Sequence, residues 1–485
     1  MGSIPQVGLA AALLLVGCGS SGSDGASAAG NGAGGSVSTG GSGGSGGTAS
    51  SQAGSTSSAG GAAGMSSGGT AAGGTASAGG SATGGTGVAG SAGSSAGNGG
   101  SAGASSGPLV WPNDESSTNG DAWLRQHHDQ ITELRPRVLL INFDPTSSFQ
   151  KVQDKAKAIA NAIAFGSKYH GYERPDAPAF VNYEIVHATD LTGQATRKNG
   201  GFGYGEFMTS QTFADKVGFK APGGTQNLTV CQMFEQGFIN EVWVGEQNDD
   251  PAKLYEGLAR AQVYDAQMEP KVGVFDDCAG NGCVNGFECG VTVRLGEINP
   301  TRGPGCGLHA YGHAFEGAVK RNQIPYLAKN AARFFNFDLA TRYGAPFNDF
   351  YQCPYNDQVC VDFVSSTHLK SGPASSKAFD IENFGAGCGN VHFAPHSRYQ
   401  YDYEGPSGNA GRATCEGYGL GGAGGADVSV DITYDTYKSY NQNSAYNDCG
   451  GGWQEYMRQS FPGYGNQAKD VDGAPMKNWW PFMFY

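Results

Sequence analysis

Two histidines four residues apart, with a glutamate three further on, stand in the stretch "GCGLHAYGHAFEGAVKR" at residues 305–321: His309, His313 and Glu316. Neutral imidazole and carboxylate are the side chains that ligate zinc and related cations, and imidazole is also the side chain that moves protons most readily near neutral pH. Gly305 and Gly307 break the preceding run, and Leu308 to Lys320 can continue as one helix. At 100° per residue the three groups then fall within about 60° of one another on a single face. Such a triplet is a metal site if its tips meet at one point, and a structural cluster if each tip finds its own hydrogen-bond partner.

The local text is similar to the H-E-x-x-H helix of zincin metallopeptidases, in a His-x-x-Gly-His form. That resemblance implies His309 and His313 as zinc ligands. It departs at Ala310, which stands where those enzymes carry the glutamate that activates water, so their peptidase chemistry is not expected here. By its own spacing, Glu316 is a third ligand, a base, or a carboxylate that orients His313 from behind. A second patch, "CGNVHFAPHSRYQYDYEGP" (388–406), holds His392, His396, Arg398, Asp402 and Glu404 on a segment fixed by Cys388. His392 lies in apolar, strand-like text, where a lone imidazole wants a partner. It is the candidate for an additional ligand or a general acid/base, against the alternative of a satisfied core histidine. Asp144, Glu246, Asp276, Asp277 and Glu297 close strand-like runs, which is where α/β folds usually place their sites. No G-x-S-x-G elbow occurs outside the spacer described below, no Gly-rich phosphate loop follows a strand, and "DDCAGNGCVNGFE" lacks the ligand spacing of an EF-hand.

The elements that must position these residues read as an α/β fold with a mixed sheet flanked by helices. "RVLLINFDP" (137–145) is an apolar run closed by Asp-Pro, as in a buried strand. "SFQKVQDKAKAIANAIAF" spaces Val152, Ala156, Ile159, Ile163 and Phe165 as a helix lying on a sheet, and "AFVNYEIVHATDL" follows as a second strand. "FINEVWVGE" (238–246), "KVGVFDD" (271–277) and "GVTVRLGE" (290–297) predict further strands, and "DPAKLYEGLARAQVYDAQ" predicts a helix. The expected core is 108–345. Residues 346–485, rich in Cys, Gly and Tyr, are expected as a disulfide-stapled, loop-rich elaboration packed on that core, ending in an aromatic plug, "NWWPFMFY".

The front of the chain is of another kind. Residues 4–17 are apolar but too short to span a bilayer, and they end in "LVGC" at Cys18, which resembles the lipobox of bacterial lipoproteins. The resemblance implies a signal peptide over 1–18, an acylated Cys18 and an exported protein lipid-anchored at the bacterial outer membrane or cell surface; the leader departs from the pattern in having no Lys or Arg. Residues 19–107 are nearly all Gly, Ser, Ala and Thr, with Asp24 as the single charge, and read as a disordered tether. Setting Cys18 aside leaves ten cysteines, none in C-x2-C spacing, so an exported chain is expected to form up to five disulfides. The formal net charge of −13 offers no basic stripe for nucleic acid or for an anionic membrane surface.

Taken in order, "RVLLINFDP", "INEVWV", "LHAYGHAFE", "CGNVHFAP" with "YDYEGP", and "NWWPFMF" resemble a family of exported bacterial and fungal proteins with no established activity. The likeness covers Arg137 to Tyr485 and implies a shared site around Asp144, Arg302, His309, His313, Glu316, His392 and Asp402; His396 departs, standing where Asn is usual. Two functions are then in play. One is a surface-anchored zinc hydrolase acting on an extracellular peptide or glycan polymer. Its ligands would be His309, His313 and Glu316, with Glu316, His392, Arg302 and Asp402 in the catalytic roles. The other is a non-catalytic surface module that binds carbohydrate or protein through its Tyr-rich half, with the histidines structural.

Overall fold

In Arg137–Asn142 (β1), alternate aliphatic side chains must point to opposite faces of the strand. Val138 and Leu140 enter one apolar cluster, and Leu139 and Ile141 enter another, so both faces are covered. The remaining strands of the sheet are Glu184–Asp190 (β2), Glu241–Gly245 (β3), Leu258–Tyr264 (β4), Pro270–Asp276 (β5) and Val293–Ile298 (β6). Their spatial order is β2-β1-β3-β6-β4-β5. The first four run parallel, while β4 and β5 form an antiparallel edge. This computed structural model describes residues 107–194, 204–246, 257–284, 286–355, 357–406, 408–422, 426–441 and 448–485. The leader with Cys18, and the spacer up to residue 106, lie outside the described residues. No helix among the described residues is long and apolar enough to cross a membrane.

One face of the sheet carries Phe149–Gly166 (α1) and Pro304–Lys320 (α2). Ser148 caps α1 by accepting the Lys151 N–H, and Val152, Ala156, Ile159 and Ile163 are buried. The other face is covered by Tyr204–Thr209, Gln211–Val217 and Val230–Glu235, whose Phe207, Phe213, Val217, Met233 and Phe234 meet Leu139, Val242, Val244 and Leu295. The result is a mixed sheet flanked by helices, as the periodicity predicts. Helix α2 crosses α1 closely because Gly307 has no side chain: a Cβ there would lie 2.5 Å from Ile159 Cδ1.

Nearly every residue of α2 is buried, which an amphipathic helix on a sheet would not be. The reason is a further layer. Gly451–Gln459 (α3) packs on both α1 and α2, and the aromatic end of the chain closes behind it. Phe461 sits among Phe315, Phe334 and Trp480, with ring centroids 4.9, 5.4 and 5.5 Å away. A single apolar cluster runs from Trp111 through Ile163 and Phe315 to Trp453, Trp479 and Phe484, so the same core continues across residue 345. The rest of this region is a three-stranded sheet (Val361–Ser365, His368–Ser371, Asp380–Ile381), a long hairpin (Gly411–Gly422 with Ala426–Ile432), and the helix Tyr434–Asn441. All ten of those cysteines are paired: 231–289, 278–283, 306–449, 353–360 and 388–415.

One expectation is corrected. The stretch 250–267 was expected as a helix, yet Leu258–Tyr264 is strand β4, with 250–256 outside the described residues. Its alanines and leucine favour a helix locally, but pairing with β6 on one side and β5 on the other satisfies its backbone, and the sheet overrides that propensity. The disulfide-stapled C-terminal region carries the hairpin and α3 within it. Two glycines open α3 and obscure its start.

The chain terminus is held by His128. Its Nε2 donates to the Asn478 carbonyl at 2.7 Å, so its Nδ1 accepts from the Tyr485 hydroxyl at 2.5 Å, and the ring is neutral. Burial holds its pKa down at about 4. Between that value and the unfolded value of about 6.5, the unfolded chain binds a proton that the folded chain refuses, so stability falls as pH drops through this window. His128 should account for about 3 kcal/mol of that loss. Urea unfolding at several pH values between 4 and 7.5 should show a visibly shallower slope in His128→Gln than in the unmodified chain.

Candidate metal centre

Helix α2 places His309 and His313 on the face turned away from the sheet, one turn apart. Ala310 and Ala314 face the other way, into a small cavity lined by Trp243, Gly257 and Ile298. The third imidazole comes from the loop after the Cys388–Cys415 bridge. Val391 can approach α2 because position 312 is glycine: a Cβ there would lie 2.5 Å from Val391 Cγ2 and 3.1 Å from Arg458 Nη2. The Val391 backbone is then gripped on both sides. Its N–H donates to Glu316 Oε1 at 2.7 Å, and its carbonyl accepts from Gln454 Nε2 and the Tyr403 hydroxyl, both at 2.7 Å. Trp453 Nε1 holds the Asn390 carbonyl at 3.0 Å, and Asn390 Oδ1 accepts the His392 N–H at 3.0 Å.

This grip brings three Nε2 atoms together. His309 to His313 is 3.2 Å, His313 to His392 is 3.1 Å, and His392 to His309 is 3.2 Å. The three rings are 3, 6 and 7 % exposed for His309, His313 and His392. Nitrogens at this spacing suit an ion held about 2.0 to 2.1 Å from each. His309, His313 and His392 form a group that could hold a metal ion.

The outer nitrogens decide what the inner ones present. Glu316 Oε2 lies 3.3 Å from His313 Nδ1 and accepts the Tyr351 hydroxyl at 2.5 Å. Gln400 donates through Nε2 to the carbonyls of Tyr351 and Cys353, which turns its Oε1 to His392 Nδ1 at 2.8 Å. The protons of His313 and His392 are therefore on Nδ1, and their Nε2 lone pairs point inward. His309 is hydrogen-bonded to the backbone of Cys449, which the 306–449 disulfide ties to the first turn of α2. Inward lone pairs repel one another unless a cation or a proton sits between them. A proton is disfavoured: burial, then the neighbouring imidazoles, hold His309 well below its ordinary pKa and bring His392 to about 3. Glu316 is also buried, which raises its pKa, but the hydrogen bond from His313, the nearby Lys320 ammonium and the Tyr351 hydroxyl outweigh this and hold its pKa below the ordinary carboxylate value.

Of the residues singled out in the sequence, the structure unites His309, His313 and His392. Glu316 is not turned into the centre; one of its oxygens serves His313 and Tyr351 and the other the Val391 N–H, so the three-ligand set His309, His313, Glu316 is replaced by three histidines. Asp402 is buried beside the site and accepts the Arg398 N–H at 3.0 Å and Nε at 3.1 Å, shaping the loop. Arg302 precedes α2 and lines a small cavity with Ile159, Glu297 and Asn299. His396 is fully buried, and burial lowers its pKa to about 4. Asp144 accepts from Thr146, Asp276 pairs with Arg321 and Asp277 with Arg260, none of them part of the histidine cluster. Sequence reasoning missed Gln400, Tyr351 and Tyr401. Nothing in their spacing marks them, because each acts through contacts made only after folding. No protein-family model matches the chain, and no curated protein matches it.

Two substitutions probe this arrangement. Glu316→Gln should lower metal affinity by about 10- to 100-fold while the fold persists, read by competition with a chromophoric chelator. Gly312→Ala pushes Val391 off the helix and should weaken both metal uptake and stability, the latter by about 1 to 3 kcal/mol in urea unfolding.

Proposed function

We propose that this chain is an exported, lipid-anchored, zinc-dependent hydrolase acting on an extracellular peptide or glycan polymer. The observation that carries the reading is the convergence of three imidazole Nε2 atoms at 3.1 to 3.2 Å, with the protons of His313 and His392 fixed on the outer nitrogens. Three neutral nitrogen donors suit zinc, copper, nickel or iron. Zinc is the choice because three protein ligands with a fourth place left over are the mark of its catalytic sites. A bound zinc would supply Lewis-acid polarisation of an electrophilic carbonyl and would lower the pKa of water towards 7.

The chain's own residues would do the holding and orienting. His309, His313 and His392 bind, Glu316 and Gln400 fix two of the tautomers, and Tyr351 keeps Glu316 in place. Position 310 offers no carboxylate, and its side chain faces the sheet-side cavity, so the reaction would not use the helix glutamate of the zincins. Five formed disulfides and the "LVGC" text at Cys18 favour the exported setting, and the Gly/Ser-rich spacer favours reach from a membrane anchor towards a polymer.

A second reading, a carbohydrate-binding or protein-binding module, is favoured by one observation elsewhere. A surface cavity of about 390 Å³ is lined by Tyr169, Arg174, Asp176, Phe180 and the half-exposed Tyr464, a mixture of flat rings and hydrogen-bonding groups. Metal analysis separates the two. The purified chain should carry about one equivalent of zinc, and His313→Ala should lose it together with any chelator-sensitive release of amines or reducing ends from polymer substrates. No bound metal, or a content unchanged in His313→Ala, would leave the binding module.

A further inference from the structure

The three imidazoles account for one side of an ion. His313 is backed by Glu316 and Tyr351, His392 by Gln400, and His309 by the Cys449 backbone, all within the protein. Tyr401 stands at the edge of the triad, beside His392. Its hydroxyl lies 3.0 Å from His392 Nε2, close to the spacing between the histidine nitrogens themselves. Its ring stands against two of the three imidazoles, with centroids 4.3 Å from His392 and 5.8 Å from His309. Unlike the side chains behind the triad, Tyr401 is 43 % exposed, and its outer neighbour Tyr355, stacked at 5.6 Å, is 47 % exposed.

The backbone is bent to achieve this. Tyr401 has φ +71°, the left-handed region that a β-carbon disfavours by about 1 kcal/mol or more. It is held there by its own N–H, which donates to the His392 carbonyl at 2.9 Å, and by Asp402 beside it, fixed by Arg398. This strained, part-exposed residue sets a phenol oxygen at the rim of the nitrogen triad.

We propose that Tyr401 is the fourth ligand of the metal, closing the solvent side of the centre, and that it swings outward when a substrate oxygen takes its place. This rests on the metal-centre reading and adds to it a resting state and a gate. An oxygen about 2 Å from an ion bound at the same distance to His392 would lie about 3 Å from that nitrogen, as the Tyr401 hydroxyl does.

The test uses copper(II) as the probe in the full chain. Copper-loaded protein should show a tyrosinate-to-copper charge-transfer band in the visible. Tyr401→Phe should keep one equivalent of copper and lose the band, and Tyr355→Phe should keep both. Acetohydroxamate should bleach the band without removing copper, as it displaces the phenol oxygen. A copper-loaded chain with no such band, or a band that survives Tyr401→Phe, would overturn the proposal while leaving the three-histidine centre intact. Failure to bind copper at all would overturn both.

Discussion

Glu316 is the point on which the site turns. A buried carboxylate is tolerated only when its lone pairs are filled, and here they are filled by three groups from three parts of the chain: His313 of its own helix, Tyr351, and the Val391 backbone. The same contacts that make the charge tolerable also draw the loop bearing His392 onto α2 and set the proton of His313. Removing the charge would therefore loosen the loop and blur the tautomer together. Gly312 is the steric counterpart. It clears the space that the Val391 side chain occupies against the helix.

The rest of the support is covalent or aromatic. Three of the five disulfides border the centre. The 306–449 bridge joins α2 to the backbone beside His309, the 353–360 bridge fixes the carbonyl that Gln400 holds, and the 388–415 bridge anchors the start of the His392 loop. Behind them α3 presents Trp453, Gln454 and Arg458 to the loop and the helix at once. The Arg458 guanidinium reaches the Leu308 carbonyl and is so deeply buried that its pKa is brought down to about 10. The site is thus a seam between the sheet-borne helix and the C-terminal layer, each side supplying part of one histidine cluster.

How much of this could be read beforehand follows from the range of each interaction. The strands at β1, β3 and β6 and the helices α1 and α2 were legible because burial writes a period into neighbouring residues. His309 and His313 were legible for the same reason, being one helical turn apart. Glu316 was visible as a functional carboxylate, but its role was not, since spacing cannot tell a ligand from the group behind a ligand. His392 was singled out as an unpartnered imidazole in apolar text, while Gln400 and Tyr401 a few residues on were passed over. Their importance depends on side-chain direction across a loop that no periodicity constrains. Strand β4 is not legible because its residues favour a helix in isolation and its partner β6 in the sheet is distant in sequence.

The third imidazole stands 79 residues from the nearer of the other two, and the elements that clamp it extend to residue 459. A chain still emerging can offer the helical pair but not the trio. Full chelation then becomes a late event, open only to molecules whose last quarter has already docked, and an ion bound there would add its binding free energy to the finished fold alone. Maturation and metallation would in this way be the same checkpoint.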